Sequence, residues 1–366
     1  MFGSRNFLFA KAAGVSIIGG KLFMWGRNGQ GQLGLGDTAA RSSPVQVGAL
    51  TTWSQVATNN STLATKNTGE LWAWGQNANG TLGLGDTADR SSPVQVGALT
   101  NWETPAIGTQ FSLCVKTDGT LWSWGRGLYG VLGLGNTTYY SSPKQIGSST
   151  NWATVSAYTA SLAVDDAGKL FAWGRNHYGQ LGLGDTTNRS SPVQVGALTN
   201  WKTPAAGQNH SLCVKTDGTL WAWGQGTYRA LGLGNTTSYS SPKQIGALTN
   251  WTIPTGGRYA SLCAKTDNTL WSWGANYQGQ LGLGDTTRRS SPTQVGALTN
   301  WTNPKTARDF TLCLKTDGTI WAWGENNNGQ LGQSNTTNLS SPVQVGSLTT
   351  WIVPAAGSFT SGCIQT

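Results

Sequence analysis

The 366 residues carry a formal net charge of +9, yet only 11% are Asp, Glu, Lys or Arg, while glycine numbers 51 and tryptophan 19. That composition excludes a disordered polyelectrolyte and suits short strands, tight turns and an aromatic core. The basic residues are scattered with no long run, which argues against nucleic acid as a partner, and no stretch reaches the roughly 18 apolar residues of a membrane-spanning helix.

Residues 1–18 match no full repeat and are read as an N-terminal extension to one propeller domain over 19–366. The opening resembles a signal peptide only loosely, because Lys11 interrupts the apolar run, so the mature chain is expected to start at Met1. Val15-Ser16-Ile17-Ile18 has strand character and leads through Gly19-Gly20 into Lys21-Leu22-Phe23-Met24-Trp25-Gly26. The apolar Phe7-Leu8-Phe9 is expected to dock on a neighbour.

From Trp25 onward the chain repeats itself. Trp-Gly recurs at Trp25, Trp74, Trp124, Trp173, Trp223, Trp273 and Trp323, at separations of 49, 50, 49, 50, 50 and 50 residues. Each strand ending in Trp-Gly leads to a polar loop, a Leu-Gly pair, a variable triplet and Ser-Ser-Pro. A second Trp follows, as at Trp102, then a strand such as Ser112-Leu113-Cys114-Val115-Lys116 and the turn Thr117-Asp118-Gly119-Thr120. Asp-Gly between two β-rich runs predicts an antiparallel hairpin with a type I′ turn, both central residues at positive φ.

Spacing within the unit is strict in one half and variable in the other. Trp to the Pro of Ser-Ser-Pro is 19 residues in all seven copies, whereas Trp53 to Leu63 and Trp152 to Leu162 are 10 and Trp102 to Leu113 and Trp201 to Leu212 are 11. One loop therefore has two lengths.

Four short strands per unit, seven units and no helical periodicity predict an all-β fold, a seven-bladed β-propeller of four-stranded blades. The last unit stops at Thr366, before its Trp-Gly strand, and Lys21 to Gly26 supply the missing piece. The ring is expected to close by overlap of N- and C-terminal strands. Val15 to Ile18 would then compete with Gly362 to Gln365 for one place.

The unit Leu121-Trp122-Ser123-Trp124-Gly125 with Gly130-x-Leu132-Gly133-Leu134-Gly135 resembles the regulator of chromosome condensation repeat, as does Leu181-Gly182-Leu183-Gly184-Asp185. The resemblance covers about residues 19 to 366 and implies a seven-bladed propeller. It also implies three kinds of role: exchange factor for a small GTPase, chromatin-binding protein, or interaction module. The exchange factor of that family uses a β-wedge inserted in one blade and a basic tail. Units of 49 or 50 residues leave no room for a wedge, and residues 1–20 hold only Arg5 and Lys11 as basic groups.

Positions that differ among the copies fall in three loops, and Tyr, Arg, Asn and His on loops of a rigid ring are interface chemistry. Tyr129, Tyr139, Tyr140, His177, Tyr178, Tyr228 and Arg258 are the expected contact residues. No catalytic, cofactor or metal site is expected. His177 and His210 have no ligand partner at metal-site spacing, and Cys114, Cys213, Cys263, Cys313 and Cys363 share one repeat position with Ala64 and Ala163, a small buried site. Gly29-x-Gly31-x-x-Gly34 lacks the helix a dinucleotide fingerprint needs. Asp37, Asp86, Asp185 and Asp285, with Asn136, Asn235 and Asn335 in the other copies, read as turn residues.

The expected function is a non-catalytic structural or adhesive propeller in a larger assembly, a virus particle or cell surface, with protein partners bound through the loops and residues 1–18. The alternative is a regulator acting on a small GTPase or chromatin.

Overall fold

Each repeat supplies β-strands, with a single 3-10 turn at Leu128–Gly130 beside them, because its apolar residues alternate with period two and glycines interrupt every run. The computed structural model describes residues 19–366; the strand reading of Val15 to Ile18 and the docking role of Phe7 to Phe9 lie outside them. Blade 2 is representative. Its strands Trp102–Ile107, Phe111–Lys116, Leu121–Gly125 and Tyr140–Gln145 pair antiparallel in that order. Seven such sheets occur among the described residues. Blades 1 to 6 begin at Trp53, Trp102, Trp152, Trp201, Trp251 and Trp301. Blade 7 joins Trp351–Ala356 and Thr360–Gln365 from the C-terminus to Lys21–Gly26 and Arg41–Gln46 from the N-terminus.

First strands of successive blades touch all the way round, and Trp351–Ala356 returns to Trp53–Thr58, so they form the inner ring. Closure follows the expected overlap: Lys21 pairs with Gln365 and Gly26 with Thr360, with four pairs between them in register.

The hairpin turn differs from the expected type I′. At Thr117-Asp118-Gly119 only the glycine has positive φ, +76°. Asp118 is needed for its side chain, whose Oδ1 accepts the Thr120 N–H at 2.9 Å and the Thr120 hydroxyl at 2.6 Å. The loop of two lengths joins first and second strands. In the short form Asn59 N–H reaches Ser61 O; in the long form Gly108 N–H reaches Phe111 O.

Blades are held to one another by a repeated clamp. In each gap one backbone carbonyl accepts two hydrogen bonds from the next blade. Val131 O takes Trp173 Nε1–H and the Ser161 hydroxyl, both at 2.9 Å. Thr81 O takes Trp124 and Ser112, and Gln330 O takes Trp25 and Ser361 across the closing gap. The other four gaps repeat it at Gln32, Gln180, Ala230 and Gln280.

The Leu-Gly glycine serves the same clamp. A Cβ at Gly182, φ +75°, would lie 2.8 Å from Trp223 Nε1. Around each clamp the apolar core is shared: Leu162 and Leu170 of blade 3 pack with Trp201, Cys213 and Trp223 of blade 4. All five cysteines are buried there.

On the side of the Asp-Gly turns, the Lys116 ammonium rests 4.4 Å from the Trp102 ring and 4.0 Å from Trp122. Lys66, Lys215, Lys265 and Lys315 repeat this arrangement. Where the third-strand indole is replaced by Phe171 or Phe23, the lysine is replaced by Asp165 or Gln365.

His210 opens the second strand of blade 4, directly after a long-form loop. Its Nε2 lies 2.8 Å from Ser261 Oγ, whose single proton goes to Ala230 O at 2.8 Å, so the ring is the Nε2–H tautomer. Burial pushes its pKa down to about 4.

Replacing Trp173 with Phe leaves Val131 O with one donor and is expected to cost about 1–3 kcal/mol in chemical denaturation. Gly182→Ala, which adds a steric clash to a left-handed backbone, should cost at least about 2 kcal/mol. Equal midpoints for variants and parent would contradict the clamp.

A second expectation concerns pH. The unfolded histidine titrates near 6.5 and the folded one near 4, so its contribution is full above 6.5 and declines as pH falls toward 4. The loss amounts to about 3 kcal/mol. His210→Phe, which installs the residue that Phe111 and Phe310 supply at the same repeat position, should flatten that segment of the stability profile; an unchanged slope would refute the assignment.

Candidate partner-binding face

Alternating strand direction sends two loops of every blade to the same side. One follows the first strand and the other follows the third, and they touch: Arg126 N–H donates to Gln110 O at 2.9 Å and Gln225 N–H to Asn209 O at 2.8 Å. The Asp-Gly turns leave from the opposite side. Six of the expected contact residues, Tyr129, Tyr139, Tyr140, His177, Tyr178 and Tyr228, belong to the third-strand loops or the residue that ends them. Arg258 lies in a first-strand loop. The fold therefore brings all seven to one face, in blades 2 to 5. The chain's other tyrosines, Tyr158, Tyr239, Tyr259 and Tyr277, share that face and those blades.

Two groups form within this arc. In the first, Tyr129 meets His177 edge to face at 5.2 Å, and the Arg175 guanidinium lies 5.7 Å from the Tyr129 ring and 6.0 Å from Tyr178. Beside them Arg126 Nε donates to Tyr139 Oη at 3.1 Å and its Nη1 to Gln110 Oε1 at 2.6 Å. In the second group Tyr228 stacks on Tyr259 at 3.8 Å. Arg258 lies 5.0 Å from the Tyr259 ring and 3.8 Å from Asp309 Oδ2, and Arg288 lies 4.4 Å from the Tyr277 ring. Tyr139, Tyr178 and His177 are exposed, while Tyr129, Tyr228 and Arg258 are half-buried.

Electrostatics differ from blade to blade. Burial raises the Asp309 pKa despite Arg258 and Arg308 nearby, and burial together with Asp309 raises that of Glu325. By contrast the backbone N–H of Ala39 and the Arg41 guanidinium hold Asp37 below the usual carboxylate range. Burial pushes the Cys213 thiol up to about 12 and raises the other four thiols, the direction opposite to nucleophile activation.

Tyr140 has a framework role that sequence reasoning did not separate from binding. It packs against the core beside Val131 and Trp173, with its Oη 3.3 Å from Asn136 Nδ2. In four copies the same pair of positions is an ion pair: Asp37 with Arg41, Asp86 with Arg90, Asp185 with Arg189, Asp285 with Arg289. Wherever Asp becomes Asn, at Asn136, Asn235 and Asn335, the arginine becomes Tyr140, Tyr239 or Leu339. That joint change was visible in the chain and is the signal that identifies the pair.

Arg229 was missed. Six copies place glycine there, Gly31, Gly80, Gly130, Gly179, Gly279 and Gly329, and Arg229 keeps the same left-handed backbone at φ +67°. The turn is stretched to admit it. Gly232 N–H is 3.3 Å from Arg229 O, against 3.0 Å for Gly182 N–H to Gly179 O. A non-glycine residue in the glycine slot of a single copy was the available signal.

The family model described as Regulator of chromosome condensation (RCC1) repeat matches residues 19–61, 68–115, 118–157, 167–214, 217–263, 267–314 and 317–364. Each match takes the last two strands of one blade and runs on into the next, through its first strand in every case and into most of its second in five, which is why the terminal pairs must meet to close the ring. No curated protein sequence matches the chain.

Among solved structures, Prp20p from Saccharomyces cerevisiae, described with its binding properties to Gsp1p and histones, superposes at a TM-score of 0.85 with 19% identity, over 96% of this chain and 93% of that one. Human WBSCR16 gives 0.84 and 19% over 95% and 99%. Yeast RCC1 (Prp20) bound to Kap60 gives 0.82 and 18% over 100% and 96%. At such identity the likeness establishes the fold.

These matches overturn the expected role as a structural or adhesive component of a virus particle or cell surface. The family matched in all seven repeats favours the alternative reading in its place, and the expected virion or extracellular location falls with the role. Near-identity of the seven copies has a cause inside the fold, since every gap needs the same tryptophan, hydroxyl and glycine to form its clamp. With all seven repeats matched in register over most of its length, the chain belongs to the regulator of chromosome condensation (RCC1) repeat family.

Proposed function

We propose that this chain is a regulatory binding protein that docks a small GTPase on its loop face and changes the rate at which that GTPase releases nucleotide. The observation that carries the reading is the set of seven family repeats between 19 and 364, with end-to-end likeness to a protein described for its binding to Gsp1p and histones. The loop face fits it physically. A ring of clamped blades holds short loops rigid, so little ordering entropy opposes docking. Since no blade has room for an inserted wedge, contact is made by side chains of ordinary loops, Tyr228 and Arg258 among them.

Histone binding is the second reading, favoured by the same relative. A net charge of +9 works against it, because a basic partner meets like charge.

The test is release of a fluorescent guanine nucleotide from a panel of purified small GTPases. A stoichiometric amount of the chain is expected to accelerate release from at least one by roughly tenfold or more, and the double substitution Tyr228→Ala, Arg258→Ala to abolish most of that gain. Unchanged release across the panel, with the chain retained on immobilised histones instead, would replace the first reading by the second.

A further inference from the structure

Arginines on the loop face fall into three classes, the smallest being Arg258 and Arg308, which share Asp309. Arg41, Arg90, Arg189 and Arg289 are each clamped by the aspartate four residues before them. Among the described residues, Arg27, Arg126, Arg175, Arg229 and Arg288 meet no carboxylate within salt-bridge distance. All but Arg27, in blade 7, stand in blades 2 to 5. Counting both loop-face connections of each blade to the first residue of its outer strand, these four blades hold seven arginines against Asp185 and Asp285. The other three blades hold four arginines against five carboxylates. A surplus of five positive charges is therefore confined to the arc that also holds every tyrosine.

Arg229 marks the centre of that arc. Its backbone stays in a conformation that six copies give to glycine, at the cost of a stretched turn, and among the described residues no ion pair or hydrogen bond of its guanidinium accounts for it. Strain kept at one loop position without an internal contact points outward. Its neighbours are prepared for binding as well, since Tyr228 is fixed by its stack on Tyr259 and Arg288 is steadied by Tyr277.

Resting on the reading of this chain as a partner-binding regulator, we propose that the arc of blades 2 to 5 is the docking surface for an acidic protein segment, whose carboxylates pair with Arg229, Arg288, Arg175 and Arg126. A guanidinium takes a carboxylate through two parallel N–H donors, and loss of the weakly held water around these half-buried arginines is cheap. Tyrosine rings between the charges supply apolar contact at small entropy cost, which is the composition of protein-binding loops. A nucleic acid presents phosphates at close, regular spacing and calls for a dense basic patch; here the cations are spread over four blades and alternate with tyrosines.

The experiment uses the full chain and two fluorescent probes, a Glu/Asp-rich peptide of about 12 residues containing one Leu and one Phe, and a single-stranded DNA of comparable charge. The peptide is expected to bind, and Arg229→Gly to weaken it about tenfold while raising the melting temperature, because glycine relieves the strained turn. A folding defect cannot produce that pair of results. Arg27→Gln, which removes the same charge on the far side of the face, is expected to leave peptide affinity unchanged.

Failure of the peptide to bind would overturn the proposal. So would equal losses for Arg229→Gly and Arg27→Gln, or tighter binding of the DNA with the same sensitivity to Arg229→Gly. Nucleotide release measured on the same proteins separates the two readings. Accelerated release with no effect of the arc substitutions rejects the acidic docking surface and keeps the GTPase reading.

Discussion

A single backbone carbonyl per gap, gripped by an indole N–H and a hydroxyl from the next blade, is the interaction on which the rest of this molecule depends. Apolar packing between sheet faces is non-directional, whereas a pair of directed hydrogen bonds fixes the offset of one blade on the next. Seven repetitions place each blade at the same offset from the last, which is the condition for a ring to close. The closing gap obeys the same rule, with Gln330 O held by Trp25 and Ser361 from opposite ends of the chain.

Such a frame explains why function is confined to a few positions. Tryptophan, serine or threonine, and glycine are committed to the clamp, and lysine is committed to the indole pair on the opposite side. What remains free are the loop residues between the Trp-Gly and Leu-Gly pairs and those beyond the first strand. Because those loops are short and anchored at both ends, a substitution there alters chemistry without moving the scaffold. An even frame with one uneven arc is the result: tyrosines and a surplus of arginine in blades 2 to 5, asparagine, glutamine and carboxylates in the others.

Much of this was legible in the residues, and the illegible parts have physical causes. The seven units, four strands per blade, the two loop lengths and the closing overlap all follow from spacing and from where the last unit stops. The clamp was hidden because its acceptor is main chain; Gln32, Thr81, Val131 and Ala230 share no side-chain chemistry although each offers the same carbonyl. Its hydroxyl donor was in plain view, Ser or Thr in all seven copies from Thr62 to Ser361, and passed as ordinary strand composition. The turn type was misjudged because Asp118 works through its carboxylate and not through a positive φ. Tyr140 drew attention as an aromatic loop residue, though its change in step with Asn136 marks it as framework. Arg229 breaks a sixfold glycine pattern, as Ser334 does at another slot of the unit, and single exceptions of this kind are hidden among the positions that stay fixed.

An uneven binding arc on an even frame is the central claim, and hydrogen exchange on the chain alone and saturated with the small GTPase it engages tests it most directly. New protection is predicted in the loop-face connections of blades 2 to 5, with the Asp-Gly turns and the loops of blades 6, 7 and 1 exchanging as before. Protection spread evenly around the ring, or placed on the side of the Asp-Gly turns, would contradict it.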